Sequence, residues 1–414
     1  MDKKQKKTLC VILYILIFAF TSAPVFCGYV MEGGDGVMWL SRIREMRESL
    51  AGGAVSWFPS PELITAFGGQ SAAFDSGIWL LPAIAMQMLG VGEQMSFCIF
   101  TGMIGIATMG SAYWMMSSFF ENKVTVLYGV LFYMSCPYRI YICFDKADLG
   151  QSLVWTLMPL LVGGLVRLRL GRGRKVVWGC ISTLAYAGIW YADARWGVII
   201  GGCVGVYLML WERWFASLFL LAAGAALSMP VIVYLARYLV KGGMQVWNLP
   251  LDSIMGKGYT IGFFMTNWTY RPDMPGLGMA LAGVFLLMIW MYWSGYGPKM
   301  HKTIKGLLTV AGVLTLASLK YFPWDYVQRV GAPFLRFVGL LEAPGVFWML
   351  ANILFTIPAA WTIGELRKKQ DVLWRWVIPA IFLIAALATA LYLCNSLSYM
   401  RLPMGQQPVS GLTY

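Results

Sequence analysis

Residues 3–27 read KKQKKTLCVILYILIFAFTSAPVFC, four lysines followed by a run from Leu9 to Cys27 that carries no charge. A run of that length crosses a bilayer as a helix, and the lysines before it orient the N-terminus toward the cytoplasm. Working outward, similar apolar runs recur to the far end of the 414 residues, and only 12% of the chain is charged against 59% hydrophobic, with a mean hydropathy of +0.66. A soluble globular domain carries about 25% charged residues, so a soluble enzyme, a disordered chain and a secreted disulfide scaffold are all excluded. Long continuous runs also exclude a membrane β-barrel, whose segments are short and alternating. The reading is an all-α, polytopic integral membrane protein forming one membrane domain over 1–414. The first run also has the layout of a signal peptide, with Ala23-Pro-Val-Phe-Cys27 as a poor cleavage region. The many runs that follow favour an uncleaved anchor.

Charge placement sets the expected topology. The next strong cytoplasmic marker is Arg167-Leu-Arg-Leu-Gly-Arg-Gly-Arg-Lys175. Four apolar segments lie between the first span and this marker, and if all four crossed, five crossings in total would put the marker outside. Segment 77–92 is the shortest and contains Pro82, so it is expected as a re-entrant or interfacial helix. About eleven crossings remain, near 9–27, 96–119, 124–138, 151–167, 176–191, 196–211, 215–236, 276–294, 304–320, 338–362 and 376–394, with the C-terminus outside. The inner segments then hold 18 Lys/Arg and 5 Asp/Glu, and the outer segments 14 of each. All of the net charge of +13 therefore falls on the cytoplasmic face, which assigns it to topology and not to nucleic acid. The long loops 28–76, 139–150, 236–275 and 321–337 are expected outside, and no phosphate-binding GxxxxGK[ST] loop occurs inside.

The remaining chemistry is thin in the usual catalytic residues. None of the eight cysteines forms a CxxC or Cys/His cluster, which argues against zinc or redox sites. The single histidine, His301, lies in the basic stretch Lys299-Met-His-Lys302, where a general base is not expected. In the first outer loop, Leu40, Ile43, Met46 and Leu50 share one helical face, with arginines and glutamates over the rest. This predicts an amphipathic helix at the membrane surface, closed by Gly52-Gly53. Asp35 stands at its start, either as a plain helix cap or as a carboxylate held beside an interfacial cavity. The two roles are compatible.

One resemblance rests on these stretches. The run Gly34-Asp-Gly36 with Leu40 and Arg42-Ile43 after the first span, a Phe/Gly-rich link into a half-helix, then Pro137-Tyr-Arg-Ile-Tyr141, Asp148-Leu-Gly-Gln-Ser-Leu153 and Met158-Pro-Leu-Leu161, is similar to one group of bacterial membrane proteins. These are the large YfhO-like and pyruvoyl-tetrahydropterin-synthase-related proteins, which resemble the C-type glycosyltransferases (GT-C). The likeness covers about residues 1–170 and returns faintly at Phe322-Pro-Trp-Asp325 and Phe334-Leu-Arg-Phe337. It implies a GT-C-like fold in a cell membrane. It also implies transfer of a sugar from a polyprenyl-phosphate carrier to an acceptor on the outer face, with Asp35 in the catalytic position. Asp75, Arg139, Asp145 and Asp148 match outer-face polar positions of the group. Relatives carry a histidine shortly after the catalytic aspartate, where this chain has Trp39, and another where Trp190-Tyr-Ala-Asp-Ala-Arg-Trp196 stands.

Glycosyl transfer needs a carboxylate at the acceptor hydroxyl and cations at the leaving phosphate. Arginine suits phosphate through its bidentate fork, which brings in Arg139 and Arg195 as donor-phosphate or substrate contacts beside Asp75, Asp145 and Asp148. Asp145 and Asp148 are also candidates to share a divalent cation, and Tyr259, Trp247, Trp268 and Tyr270 to stack on sugars. Asp193 and Arg195 could simply pair in their turn. The expected partners are a lipid-linked sugar donor and membrane lipids. The alternative reading is a catalytically degenerate relative that binds or transports lipid-linked glycans. Spans almost free of charge and without internal repeats weigh against ion-coupled transport.

Overall fold

A computed structural model describes residues 3–27, 35–53, 57–60, 74–171, 173–208, 216–240, 253–262, 275–294, 302–341, 343–368 and 372–399. Among them the chain is helical, with no strand and one isolated bridge between Tyr259 and Leu319. In chain order the helices are α1 Lys3–Thr21, α2 Ala23–Cys27, α3 Gly36–Ala51, a 3-10 turn Gly77–Leu80 running into α4 Leu81–Met88, and α5 Glu93–Phe119. There follow α6 Lys123–Met134, α7 Pro137–Ile140, a π-helical turn Tyr141–Asp145, α8 Leu149–Arg169, α9 Lys175–Ala192 and α10 Ala194–Tyr207. The rest are α11 Ala216–Leu227, α12 Met229–Val240, α13 Met279–Trp293, α14 Lys302–Ser318, α15 Trp324–Val327, α16 Ala332–Leu341, α17 Gly345–Lys368 and α18 Val372–Tyr399.

Among the described residues, four helices are long and apolar enough to cross a membrane: α5, α8, α17 and residues 376–394 of α18. Two bent pairs raise the number to six. The chain is thus a multi-pass helical membrane protein. Each bend has a local cause. Between α6 and α7 the chain turns by 47° at Ser135-Cys136-Pro137, and between α11 and α12 by 60° just ahead of Pro230. A proline removes a backbone donor and clashes with the preceding turn. The run expected as one span over 338–362 is divided: α16 ends at Leu341, and α17 starts only after Pro344 and continues to Lys368. Residues 77–88 form the short helix expected at 77–92, and Ile78, Met88 and Leu89 on it are exposed.

The described residues gather into two compact units. One comprises the described residues within 22–111, 141–244 and 395–414. Within it α8 lies along α9, and α9 along α11. Small residues allow the close approach: a Cβ on Gly164 would stand 2.3 Å from Ser182 Oγ. The hydroxyls of Thr108 and Thr156, 2.7 Å apart, join α5 to α8. The other unit comprises the described residues within 1–21, 112–140 and 245–394, and in it α17 packs on α6, α13 and α14. Its aromatic core includes Trp324 stacked on Phe347 (5.3 Å, 4°) and Trp348, whose indole donates to Pro275 O. Asp325 accepts hydrogen bonds from the amides of Ile254 and Met255 and from Ser253 Oγ, which fixes the loop at 253–257.

Candidate functional site

Four helix ends of the first unit bring charged residues together. Asp35 immediately precedes α3, Asp75 precedes the 3-10 turn, Asp148 caps α8, and Asp193 lies in the turn between α9 and α10. The loops carrying them are stitched by backbone bonds. Asp35 N donates to Lys146 O (2.7 Å) and Ser76 N to Tyr191 O (3.3 Å), while Ser76 Oγ reaches the same Tyr191 oxygen at 2.6 Å.

Asp35 departs from the expectation of a capping residue. Its φ and ψ are −86° and 0°, and its side chain makes no cap bond. The carboxylate turns instead to Lys146, whose Nζ lies 3.3 Å from it and 2.7 Å from Asp148 Oδ2. Lys146 is aimed by the strained segment around it. Ala147 adopts φ +51°, a left-handed conformation that costs a non-glycine residue about 1–3 kcal/mol. The following residue, Asp148, is then extended and accepts Gln151 N at 2.9 Å. Arg195 binds Asp193 through Nε and Nη2 at 3.2 and 2.9 Å, and its guanidinium lies over the Phe74 ring at 5.1 Å.

Exposure divides this cluster. Asp148, Asp193 and Arg195 are 6%, 1% and 8% exposed in their ion pairs, whereas Asp35 and Lys146 are both 27% exposed. The Asp35–Lys146 pair is the rim of a buried charge network. Burial, with Asp148 adding to it, raises the Asp35 carboxyl above the ordinary aspartate range. Burial would raise Asp148 too, but the ammonium of Lys146 outweighs it and holds that carboxyl low. Asp193 stays raised by burial despite Arg195. Asp75 is raised furthest, by burial and then by Asp193 and Asp148.

The structure therefore brings together Asp35, Asp75, Asp148 and Arg195 from the residues singled out in the sequence. It adds Lys146, whose signal was a lysine between two outer-loop aspartates, and it bears out the pairing of Asp193 with Arg195 in their turn. Asp145 is buried at the end of the π-helical turn while Asp148 caps the next helix, so the two do not share the one helix face expected of them. Among the described residues, no group of three or more His, Cys, Asp or Glu is placed to hold a metal ion. Arg139 belongs to the other unit. It is 1% exposed and donates to the carbonyls of Thr21 and Met134, which makes it an internal tie between α1 and α6 and not a ligand contact. Tyr259 is 4% exposed beside Trp348, with no face open for a sugar. Gly33, Gly34, Trp247, Trp268 and Tyr270 lie outside the described residues. No protein-family model matches the chain, and none of the curated proteins matches it.

Proposed function

We propose that the protein is a multi-pass glycosyltransferase of a bacterial plasma membrane, moving a sugar from a polyprenyl-phosphate-linked donor to an acceptor on the outer face. In this reading the chain is GT-C-like, with about eleven crossings, its N-terminus in the cytoplasm and its C-terminus outside. The observation that carries it is the partly exposed Asp35–Lys146 pair at the rim of a buried charge network, next to helix α3, whose apolar residues Trp39, Ile43 and Met46 are buried. The motif resemblance around Asp35 adds support of its own.

The roles follow from charge and access. The acceptor hydroxyl attacks the anomeric carbon of the donor, and the bond from that carbon to the phosphate oxygen breaks. Polyprenyl phosphate departs with the electron pair, and Asp35 takes the hydroxyl proton. Burial makes Asp35 a stronger base than a free aspartate. Lys146 is the accessible cation for the leaving phosphate, and the buried Asp193–Arg195 pair fixes the helix ends behind it.

The reading is tested by binding polyprenyl phosphate to the purified protein in nanodiscs, for wild type and Lys146→Met, followed by product analysis with the sugar-linked form. Saturable binding weakened at least tenfold in the variant, together with turnover in wild type, is expected. Saturable binding without turnover in wild type would replace the enzyme by the glycan-lipid-binding alternative. No binding would overturn both.

A further inference from the structure

The buried member of the cluster, Asp75, has a local problem that its neighbours do not solve. The residue is 8% exposed, and its Oδ1 has no hydrogen-bond partner among the described residues. That oxygen is aimed at the first turn of α8, where Gly150 leaves room. A Cβ on Gly150 would lie 2.8 Å from Asp75 Oδ1, 2.9 Å from Ala192 O and 3.3 Å from Asp148 Oδ1. Three acceptors thus crowd one point. Among the described residues, the only donor to any of them is Gln151 N, which is bonded to Asp148 Oδ1. Ala192 O is moreover the last carbonyl of α9, the negative end of that helix.

The charges around Asp75 have the same sign problem. The loop before α8 contributes Asp148 and Lys146, the turn between α9 and α10 contributes Asp193 and Arg195, and the start of α3 contributes Asp35. Arg42 from α3 also acts on Asp75, but it is neutralised by Glu45 at 2.5 Å. Four buried or half-buried carboxylates face two cations, Lys146 and Arg195, and each cation is already paired. An uncompensated carboxylate in such a place is strongly disfavoured.

We propose that Asp75 is a proton-binding site: its carboxyl is protonated at neutral pH and serves as a hydrogen-bond donor within the cluster. Protonation converts one of three crowded acceptors into a donor, for Ala192 O or for Asp148, and removes one of the two excess negative charges. The ligand is a single proton, and the site does not depend on the transferase reading. It has a consequence for that reading: with Asp75 neutral, the excess charge at the rim is carried by Asp35, the accessible carboxylate.

Infrared difference spectroscopy of the purified protein across pH reads this directly. Wild type at pH 7 should show the carbonyl stretch of a protonated carboxyl. The band should be lost in Asp75→Asn, retained in Asp35→Asn, and titrate away only as the pH is raised well above neutral. Absence of the band in wild type at pH 7, or its persistence in Asp75→Asn, would overturn the proposal. If Asp75→Asn does not fold, Asp75→Glu keeps an acid of different length. A shifted band and midpoint then support the assignment, and an unchanged band overturns it.

Discussion

At the residue scale, Lys146 joins two carboxylates of opposite tendency, and the pH dependence of stability follows from them. Asp148 is held below its ordinary value in the folded protein, so its contribution is present above the usual aspartate range and is lost as pH falls through the lowered value. Asp35 and Asp75 are raised, so each contributes stability that is full below the usual aspartate range and declines as pH rises through the raised value. In Lys146→Met, Asp148 loses its cation and its carboxyl shifts upward, so the acid-side loss of stability that it contributes should flatten. The cost at neutral pH should be about 2 kcal/mol, less than the roughly 3–5 kcal/mol for breaking a fully buried pair, because Lys146 is 27% exposed. Denaturation monitored against pH checks both the shift and its direction, and an unchanged acid limb would refute the role of Lys146. Gly150→Ala gives a second test. Inside a helix this change usually stabilises by about 0.5–1 kcal/mol, but the Cβ would meet Asp75 Oδ1 and a backbone carbonyl. A net loss of about 1–3 kcal/mol is expected from overpacking. A stabilised variant would mean that the three acceptors do not crowd that point.

At the scale of elements, the site depends on where helices begin and end. The Asp193 carboxylate caps α10 by accepting Arg195 N at 2.9 Å and holds the Arg195 side chain as well. Asp193→Ala removes the cap and leaves a buried guanidinium without its carboxylate, so a loss of about 3–5 kcal/mol is expected by thermal or denaturant unfolding. Arg195→Lys should not restore what Arg195→Ala loses, because one ammonium cannot meet both carboxylate oxygens in the plane of the fork. The helix starts at Asp148 and Asp193 were legible as aspartates ahead of apolar runs. The pairing of the Asp35 carboxylate with Lys146 was not, since whether an aspartate bonds to its own helix or to a distant lysine is decided by how loops 50 or more residues apart pack. Arg139 misled for a related reason. An arginine after Pro137-Tyr138 reads as a loop residue, but the bend at Pro137 turns it back onto open carbonyls of α1 and α6.

For the whole molecule, hydropathy and charge made the multi-pass helical class readable from residues alone, because only helices and closed barrels satisfy backbone groups in lipid and long continuous apolar runs are not those of a barrel. Helix breaks were less visible. Ser228 and Pro344 interrupt runs whose apolar content is continuous, and apolar content does not report a bend. The parity of charges predicts that the basic turn at 171–175 faces the cytoplasm and that Asp35 lies on the opposite side. Single cysteines placed at Arg174 and Ser49 in a cysteine-free background should therefore react with an impermeant maleimide only from inside and only from outside, respectively. Reaction of both from one side would refute the topology. The central claim, that Asp35 is the base of a transfer reaction, is tested most directly by sugar transfer from a polyprenyl-phosphate donor in proteoliposomes, comparing wild type with Asp35→Asn at equal insertion. Turnover in wild type and its loss by at least a hundredfold in Asp35→Asn is the predicted result. Equal turnover in the two proteins would contradict it.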